Sequence, residues 1–128
     1  MIIDMKKIIN TDKSPAPIGP YNQAILKDNM LFISGQIALD PVSMKLNIDS
    51  IEDETNQVMI NLKNILKEAN MDFGNVVKTS IFLSDMGLFK KVNDIYGKYI
   101  LEGDEPARET IAVKTLPMSV NVEISMIA

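Results

Sequence analysis

Apolar positions recur at helical spacing in two stretches of the chain. The first stretch begins at Ser50 and ends at Asn70, and its apolar stripe consists of Ile51, Val58, Met59, Leu62, Ile65, Leu66 and Ala69. Ser50, with Asp53 three residues later, is typical of a helix start, and Asn70 suits the left-handed residue that ends a helix. The pattern predicts a helix of about five turns that lays one apolar face on a sheet.

The second stretch follows Ser84 and Asp85, which can cap the start of a helix. Its apolar stripe consists of Leu88, Phe89, Val92, Ile95, Tyr96 and Tyr99. This spacing predicts a second helix that continues through Ile100.

Six other segments have the apolar and β-branched character of strands: Met5–Ile9, Tyr21–Leu26, Met30–Ile37, Val76–Leu83, Arg108–Thr115 and Val120–Ile127. Lys27, Asp28 and Asn29 join the second and third segments in a connection typical of a β-hairpin. The proline-rich residues 14–20 and the aperiodic residues 39–48 predict loops. The order βββαβαββ predicts one α+β domain over residues 1–128, in which two helices cover one face of a six-stranded sheet.

The second face of this sheet is apolar as well. The segment Val76–Leu83 is apolar enough to be buried on both faces. In the last strand, alternate side chains point to opposite faces. One face has Val120, Val122, Ile124 and Met126, and the other has Glu123, Ser125 and Ile127. Because two helices cover only one face, a monomer would leave a large apolar patch in water. We therefore predict that the protein forms an oligomer through its sheet.

Composition excludes several classes of function. The chain has 128 residues and a net charge of −4, and its lysines are scattered, which argues against a nucleic-acid partner. No apolar run approaches the roughly 18 residues that would span a bilayer, and the start of the sequence lacks a signal-type apolar region. We expect a cytoplasmic protein that does not interact with membranes.

The sequence contains no cysteine and no histidine. This absence excludes disulfides, thiolate nucleophiles, Ser-His-Asp triads and zinc sites of the usual Cys/His kind. Catalysis must rest on arginine, lysine, carboxylates, hydroxyls or the backbone. We expect no metal.

Arg108 is the one arginine among the 13 basic residues. Its planar guanidinium can bind a carboxylate through two hydrogen bonds, which lysine cannot do, so a small carboxylate ligand fits this position. The alternative is a structural ion pair with a nearby acidic residue. Glu123 has an alternative too, because a glutamate in a terminal strand can simply face solvent or pair with a lysine at a subunit junction.

Several blocks of sequence together carry more information than these single residues. Near the C-terminus Pro106-Ala-Arg108 is followed by Leu116-Pro117 and then by Val122-Glu-Ile124. In the first half the blocks are Ala16-Pro-Ile-Gly-Pro-Tyr-Asn-Gln-Ala24 and Phe32-Ile-Ser-Gly-Gln36. In order and spacing, these blocks resemble those of the reactive-intermediate deaminase (Rid, or YjgF) family.

The resemblance implies a fold, an assembly and an activity. The fold would be that of a chorismate-mutase-like homotrimer, with the sheets forming a central barrel and three ligand clefts between subunits. The activity would be the hydrolysis of 2-imino acids, such as 2-iminobutanoate and 2-iminopropanoate, to 2-keto acids and ammonia without a cofactor. The resemblance places catalysis on Arg108, Glu123 and Thr110, and substrate binding on Tyr21, Ser34, Gly35 and Asn93.

Two positions depart from the family pattern. Thr110 stands where many members have cysteine, a position that acts through its backbone carbonyl, and Glu105 stands where many have an apolar residue at the rim of the cleft. The residues of the binding set also have plainer interpretations: Tyr21 can pack its ring, Ser34 and Gly35 can form a bulge, and Asn93 can be solvated surface.

Two other functions remain open at this stage. The same cleft can bind keto acids without turning them over, as in a sensor or carrier, because fold does not fix function. Alternatively the protein can act through its surface as a chaperone-like interaction partner.

Overall fold

The computed structural model describes residues 5–128, so the first four residues of the predicted domain lie outside the described part. Six strands and two helices follow in the predicted order: β1 Lys7–Ile9, β2 Ala24–Lys27, β3 Met30–Gln36, α1 Ile51–Glu68, β4 Lys78–Leu83, α2 Phe89–Gly97, β5 Ala107–Ala112 and β6 Val122–Ile127. The α+β class and the order βββαβαββ are confirmed.

The strands form one mixed sheet in the order β1-β2-β3-β6-β4-β5. All neighbours are antiparallel except β4 and β5, which run parallel. Asp28 and Asn29, both with positive φ, form the predicted tight hairpin between β2 and β3. Because β4 and β5 are parallel, the chain between them must cross over, and α2 lies in that crossover.

Both helices pack on one face of the sheet. The stripe of α1 predicted from the sequence is buried there, with Val58, Met59, Leu62, Ile65 and Leu66 fully enclosed against strand residues such as Leu31, Ile81, Leu83 and Ile124. The predicted ends of α1 are also confirmed. Ser50 caps the first turn by accepting a hydrogen bond from the Asp53 N–H at 3.0 Å, and Asn70 has a φ of 58°.

The second helix is shorter than the sequence predicts. Asp85 caps a separate 3₁₀ turn, Met86–Leu88, by accepting a hydrogen bond from the Gly87 N–H at 2.6 Å, and α2 begins only after it. The helix ends at Gly97 and not at Ile100. Its last turn tightens, with Lys98 donating to the Ile95 carbonyl at 3.1 Å, because glycine is a poor helix former.

The prediction that the fifth strand is Arg108–Thr115 is wrong at its C-terminal end. The strand stops at Ala112, because its partner β4 stops at Leu83 and offers no further ladder positions. The expectation that the fourth strand is buried on both faces is also wrong within one subunit. Thr79, Ile81 and Leu83 are buried, whereas the alternate residues of β4 are only half-buried.

The face opposite the helices, which we call the open face, is apolar as predicted. One cross-strand row consists of Ile8, Ile25, Phe32 and Ile127. Ile8 is 53% exposed, Phe32 47% and Ile111, further along the same face, 46%. Large apolar side chains this exposed are typical of an interface. The oligomer that would cover them stays a prediction at this point.

Candidate functional site

Glu123 points to the open face because its neighbours Val122 and Ile124 are buried under the helices. Its side chain packs directly on the backbone of Gly35 in β3. A Cβ added to Gly35 would lie 2.8 Å from the Glu123 carboxyl carbon and 2.9 Å from its Oε1. Any larger residue at Gly35 would therefore displace the carboxylate.

A bulge in β3 accompanies this close approach. Ile33 pairs with Met126 and Gln36 pairs with Ile124, so β3 has one residue more than β6 between the two pairs. Such a bulge bends its strand and changes the direction of nearby side chains. This backbone feature agrees with the bulge interpretation of Ser34 and Gly35, and their role in substrate binding stays a prediction.

Tyr21 and Ser34 lie beside Glu123. The Tyr21 hydroxyl accepts a hydrogen bond from the Ile18 N–H at 3.3 Å, and the Ser34 hydroxyl donates to the Asn22 carbonyl at 2.7 Å. Tyr21 thus fixes its own loop, and Ser34 ties β3 to the segment that precedes β2. Together these residues enclose a cavity of about 360 Å³ lined by Ile18, Tyr21, Ser34, Gly35, Pro117 and Glu123. We call it the Glu123 pocket.

Burial raises the pKa of the Glu123 carboxyl above its ordinary value. Neither salt bridge within residues 5–128 involves Glu123. A carboxyl whose pKa is raised by burial accepts a proton more readily than an ordinary glutamate, which suits it to act as a general base.

Arg108 lies in a second cavity, of about 390 Å³, lined by Asn93, Tyr96, Gly97, Ile100, Glu102, Glu105 and Arg108. We call it the Arg108 pocket. The guanidinium carbon lies 5.1 Å from the centre of the Tyr96 ring and 5.7 Å from that of Phe89. Both distances are within the range of cation–π attraction, which helps to hold the guanidinium in place.

Arg108 forms no salt bridge within residues 5–128, so the alternative of a structural ion pair is not observed there. The two salt bridges there join Lys78 to Glu109 and Lys90 to Asp94. Tyr96, on which Arg108 stacks, donates its hydroxyl proton to Thr79 Oγ1 at 3.0 Å, and burial raises the pKa of this tyrosine. Arg108 is thus a positioned cation without an acidic partner, which suits an anionic ligand.

Thr110 lies two residues after Arg108 on the same face of β5. Its hydroxyl is buried and is the one buried side-chain polar atom within residues 5–128 that lacks a hydrogen-bond partner. The N–H groups of Ala107 and Val113 point towards β4, so by alternation the N–H and carbonyl of Thr110 point away from the sheet. The Thr110 carbonyl is therefore presented at the open edge of the sheet, as its expected backbone role requires.

The predicted site residues fall into two groups. Arg108 pairs with Thr79, and Thr79 with Met126, so Arg108 lies on the helix-covered face, whereas Glu123 lies on the open face. The strand β4 separates β5 from β6, so the two backbones lie about 10 Å apart across the sheet and about 10 Å along it. One subunit therefore contains two separate half-sites: Tyr21, Ser34, Gly35 and Glu123 in one, and Asn93 and Arg108 in the other, with Thr110 next to it.

A sequence model of the family described as Endoribonuclease L-PSP matches residues 11–128. A mouse protein named 2-iminobutanoate/2-iminopropanoate deaminase is 47% identical over 124 residues, which are 97% of this chain and 91% of the mouse protein. The chain belongs to the Rid (YjgF) family.

Two further relatives extend the comparison. Reactive Intermediate Deaminase A, chloroplastic, from Arabidopsis thaliana is 45% identical over 123 residues, which are 96% of this Rid chain but only 65% of the longer plant protein. A crystal structure of YyfA from Yersinia pestis, described as a conserved Rid family protein of unknown function, superposes with a TM-score of 0.94 at 40% identity and covers 97% of this chain and 98% of that one. The α+β fold of a single chain of this family is thereby confirmed, while the trimer stays a prediction.

Sequence reasoning missed several residues of this Rid site. Phe89 and Tyr96 were assigned to the core stripe of the second helix, yet their rings flank the guanidinium of Arg108. Ile18 and Pro117 line the Glu123 pocket, although both stand in loops where sequence patterns predict only irregular backbone.

Within residues 5–128, no helix is long and apolar enough to cross a membrane, and no three acidic residues group as metal ligands do.

Thr110 permits a direct test of the expected backbone role. We expect Thr110→Val and Thr110→Cys to keep kcat within a few-fold of wild type, because neither changes the carbonyl at the strand edge. Valine also removes a buried hydroxyl that has no partner, a group that typically costs about 1–3 kcal/mol, so the melting temperature should rise or stay the same. Steady-state kinetics and thermal melts measure both. A loss of kcat beyond about a hundredfold, or about 2.7 kcal/mol, in Thr110→Val alone would show that the hydroxyl takes part.

Proposed function

We propose that this Rid protein hydrolyses small 2-imino acids to 2-keto acids and ammonia, in sites formed between the subunits of a homotrimer. One observation supports it above all: within residues 5–128, an arginine that forms no salt bridge and a glutamate whose pKa is raised by burial occupy opposite faces of one sheet. Neither half-site is complete within a subunit. The apolar open face offers a surface on which a second subunit can bring the two halves together.

The proposed chemistry follows from the residues in the two half-sites. Arg108 binds the carboxylate of the substrate, whose protonated imine carbon is already electrophilic. Glu123 of the neighbouring subunit, with the Thr110 carbonyl, holds a water molecule and removes its proton as the oxygen bonds to the imine carbon. Glu123 then returns its proton to the amino nitrogen of the resulting carbinolamine. The C–N bond breaks, ammonia leaves, and the hydroxyl gives its proton back to the Glu123 carboxylate as the keto group forms. No step needs an added cofactor.

The remaining predicted residues have supporting roles in this proposal. Tyr21 and Ser34 border the cavity in which the water lies, the Gly35 N–H is an additional donor to the substrate carboxylate, and Asn93 borders the Arg108 pocket. The name of the mouse relative agrees with short aliphatic imino acids as substrates. A cytoplasmic location stays a prediction.

A nuclease function is suggested by the description of the matching family model, but the residues do not favour it. The chain has a net charge of −4, and Glu102 and Glu105 line the same pocket as Arg108. A polyanionic RNA backbone requires a basic surface, which this distribution of charge opposes. We therefore propose no nucleic-acid partner.

The activity is tested by supplying the imine as it forms. A threonine dehydratase generates 2-iminobutanoate from threonine in the presence or absence of the protein, and the rate of 2-ketobutanoate release is followed. We expect the release to accelerate in proportion to protein concentration. Binding of 2-ketobutanoate without any acceleration would instead favour a sensor or carrier, and neither binding nor acceleration would favour a chaperone-like role.

The intersubunit site makes a stricter prediction, testable by mixing two inactive variants. Light scattering should first give about three times the chain mass. Arg108→Ala subunits still carry Glu123, and Glu123→Gln subunits still carry Arg108. In trimers reassembled from an equal mixture, about a quarter of the sites receive both intact residues, so about a quarter of wild-type activity should return.

The control for this mixing experiment is each variant reassembled with itself, which should stay inactive. A site contained within one subunit would give no recovery in the mixture, because every subunit lacks one of the two residues. A stable monomer at micromolar concentration would likewise contradict the proposal.

A further inference from the structure

A buried glutamate lies outside both half-sites. Glu54, in the first turn of α1, has no exposed surface, and its carboxylate accepts three hydrogen bonds from the start of β6. Oε2 accepts from the Asn121 N–H at 2.7 Å and from the Val122 N–H at 3.1 Å, and Oε1 accepts from Asn121 Nδ2 at 2.9 Å. We call these three residues the Glu54 clamp.

The clamp lies where the chain leaves a turn and enters the sheet, in which Val122 pairs with Leu83 of β4. The turn before it, Pro117–Ser119, has Met118 and Ser119 both at a φ of 55°, which non-glycine residues rarely adopt. Asn121 is also bound by the end of β4, since Ser84 donates its N–H to the Asn121 carbonyl at 2.9 Å and its hydroxyl to Oδ1 at 3.0 Å. Helix α1 and strand β4 thus fix the backbone at Asn121 from two sides.

The next residue after the clamp is Glu123. Its carboxylate packs against Gly35 with no space for an added Cβ, so a small shift of the β6 backbone changes where that carboxylate lies. Removing the Glu54 oxygens would leave the N–H groups of Asn121 and Val122 buried without acceptors, and the strand would move to find new ones.

We propose that Glu54 is a positioning residue that fixes the start of β6 and thereby holds the Glu123 carboxylate at the place where it activates water. The inference rests on the proposed function of Glu123. Neither Glu54 nor the two residues that donate hydrogen bonds to it, Asn121 and Val122, line the Glu123 pocket or the Arg108 pocket.

Two substitutions separate this role from simple packing. Glu54→Leu keeps a similar volume but removes every acceptor. Glu54→Gln keeps one side-chain oxygen, which can still accept from the two backbone N–H groups. The Asn121 amide can turn so that its oxygen accepts from the Nε2 of the new glutamine. The Ser84 hydroxyl can then turn to accept from Asn121 Nδ2. Leu66→Ala is the matched control, because Leu66 is fully buried near the other end of α1, remote from the clamp.

The kinetic test compares kcat and KM in folded trimers of the three variants. We expect Glu54→Leu to lower kcat by about a hundredfold, the effect of a displaced catalytic group, while KM changes less than about threefold. Glu54→Gln should stay within about threefold of wild type in both constants. Leu66→Ala should melt at a lower temperature yet keep kcat within about twofold. A wild-type kcat in Glu54→Leu, or an equal loss in Leu66→Ala, would overturn the proposal.

A second readout does not depend on turnover. Carbon-13 NMR follows the titration of the Glu123 carboxyl, whose signal is assigned by its absence in Glu123→Gln. Tyr21 is the other titratable group that lines the same pocket. Glu54→Leu should move the titration towards that of an ordinary glutamate, while Glu54→Gln and Leu66→Ala leave it unchanged. An unchanged titration in Glu54→Leu overturns the positioning role, whereas a wild-type protein that shows the shift but no deamination overturns only the proposed function.

If Glu54→Leu does not assemble into trimers, Asn121→Ala takes its place, because it removes only the side-chain arm of the clamp. We expect a kcat loss of about 3- to 10-fold at unchanged KM. Wild-type kinetics together with a wild-type Glu123 titration in Asn121→Ala would then overturn the proposal.

Discussion

Glu123→Gln is expected to lower kcat by about 10²- to 10⁴-fold, because glutamine keeps the size and reach of the side chain but cannot remove a proton from water. The affinity for 2-ketobutanoate should change little, since we propose that the product carboxylate binds to Arg108 and not to Glu123. Single-turnover kinetics on freshly generated imine measures the first effect, and calorimetry measures the second.

The pH profile gives an independent check on the same residue. Burial raises the pKa of Glu123, so the fraction in the basic, deprotonated form falls as the pH drops through a value above that of an ordinary glutamate. We expect kcat/KM of the wild type to fall on this acidic limb and Glu123→Gln to lack it. Because a raised pKa means that the charged form is disfavoured in the folded state, removing the charge should not lower the melting temperature at pH 7.

Another carboxylate, that of Glu105, is a candidate for the general base in place of Glu123. Glu105 lines the Arg108 pocket, but it is exposed and its Oε1 already accepts a hydrogen bond from the Gly103 N–H at 2.7 Å. Wild-type turnover in Glu123→Gln, combined with a large loss in Glu105→Gln, would move the base to Glu105 and refute our assignment.

Arg108→Ala should abolish binding of the keto acid at concentrations that saturate the wild type. Arg108→Lys keeps the positive charge but loses the planar fork and its stacking on Tyr96 and Phe89. We expect the lysine variant to lose about 1.5–3 kcal/mol of charged hydrogen bonding, or about 10- to 150-fold in Kd. Calorimetry with 2-ketobutanoate measures both variants.

The control for Arg108 is a cation elsewhere on the fold. Lys90 forms an exposed pair with Asp94 on α2, so Lys90→Ala removes one positive charge without touching the pocket and should leave Kd unchanged. Normal keto-acid binding by Arg108→Ala would mean that the site itself is misplaced.

The fold could be predicted from the sequence because its elements have strong local patterns. The α1 stripe, its Ser50 cap and the left-handed Asn70 are all determined within a few residues, and the structure contains each of them. The errors occurred at the ends of two elements, of which one depends on a strand partner and the other on the geometry of the last helical turn. The fifth strand ends at Ala112 because β4 ends, and α2 ends at Gly97 because its final turn tightens to 3₁₀ geometry.

The candidate site was predicted from blocks of sequence and not from chemistry alone. The lone arginine among twelve lysines and the family blocks indicated Arg108 and Glu123, yet neither indicated that Phe89 and Tyr96 flank the guanidinium. That contact joins a helix to a strand that begins ten or more residues later, and no local periodicity encodes it.

By itself, the sequence determined the class of fold, the order of its elements, the family and the residue types available for chemistry, because each depends on local pattern, composition or matching blocks. Only the tertiary structure decided that Arg108 and Glu123 lie on opposite faces of the sheet. The physical reason is register: side chains alternate along each strand, so the face that a residue occupies depends on which residue it pairs with across β4. Tertiary packing also brings the buried Glu54 of α1 to the start of β6, where it accepts backbone hydrogen bonds, and no spacing within α1 predicts this contact.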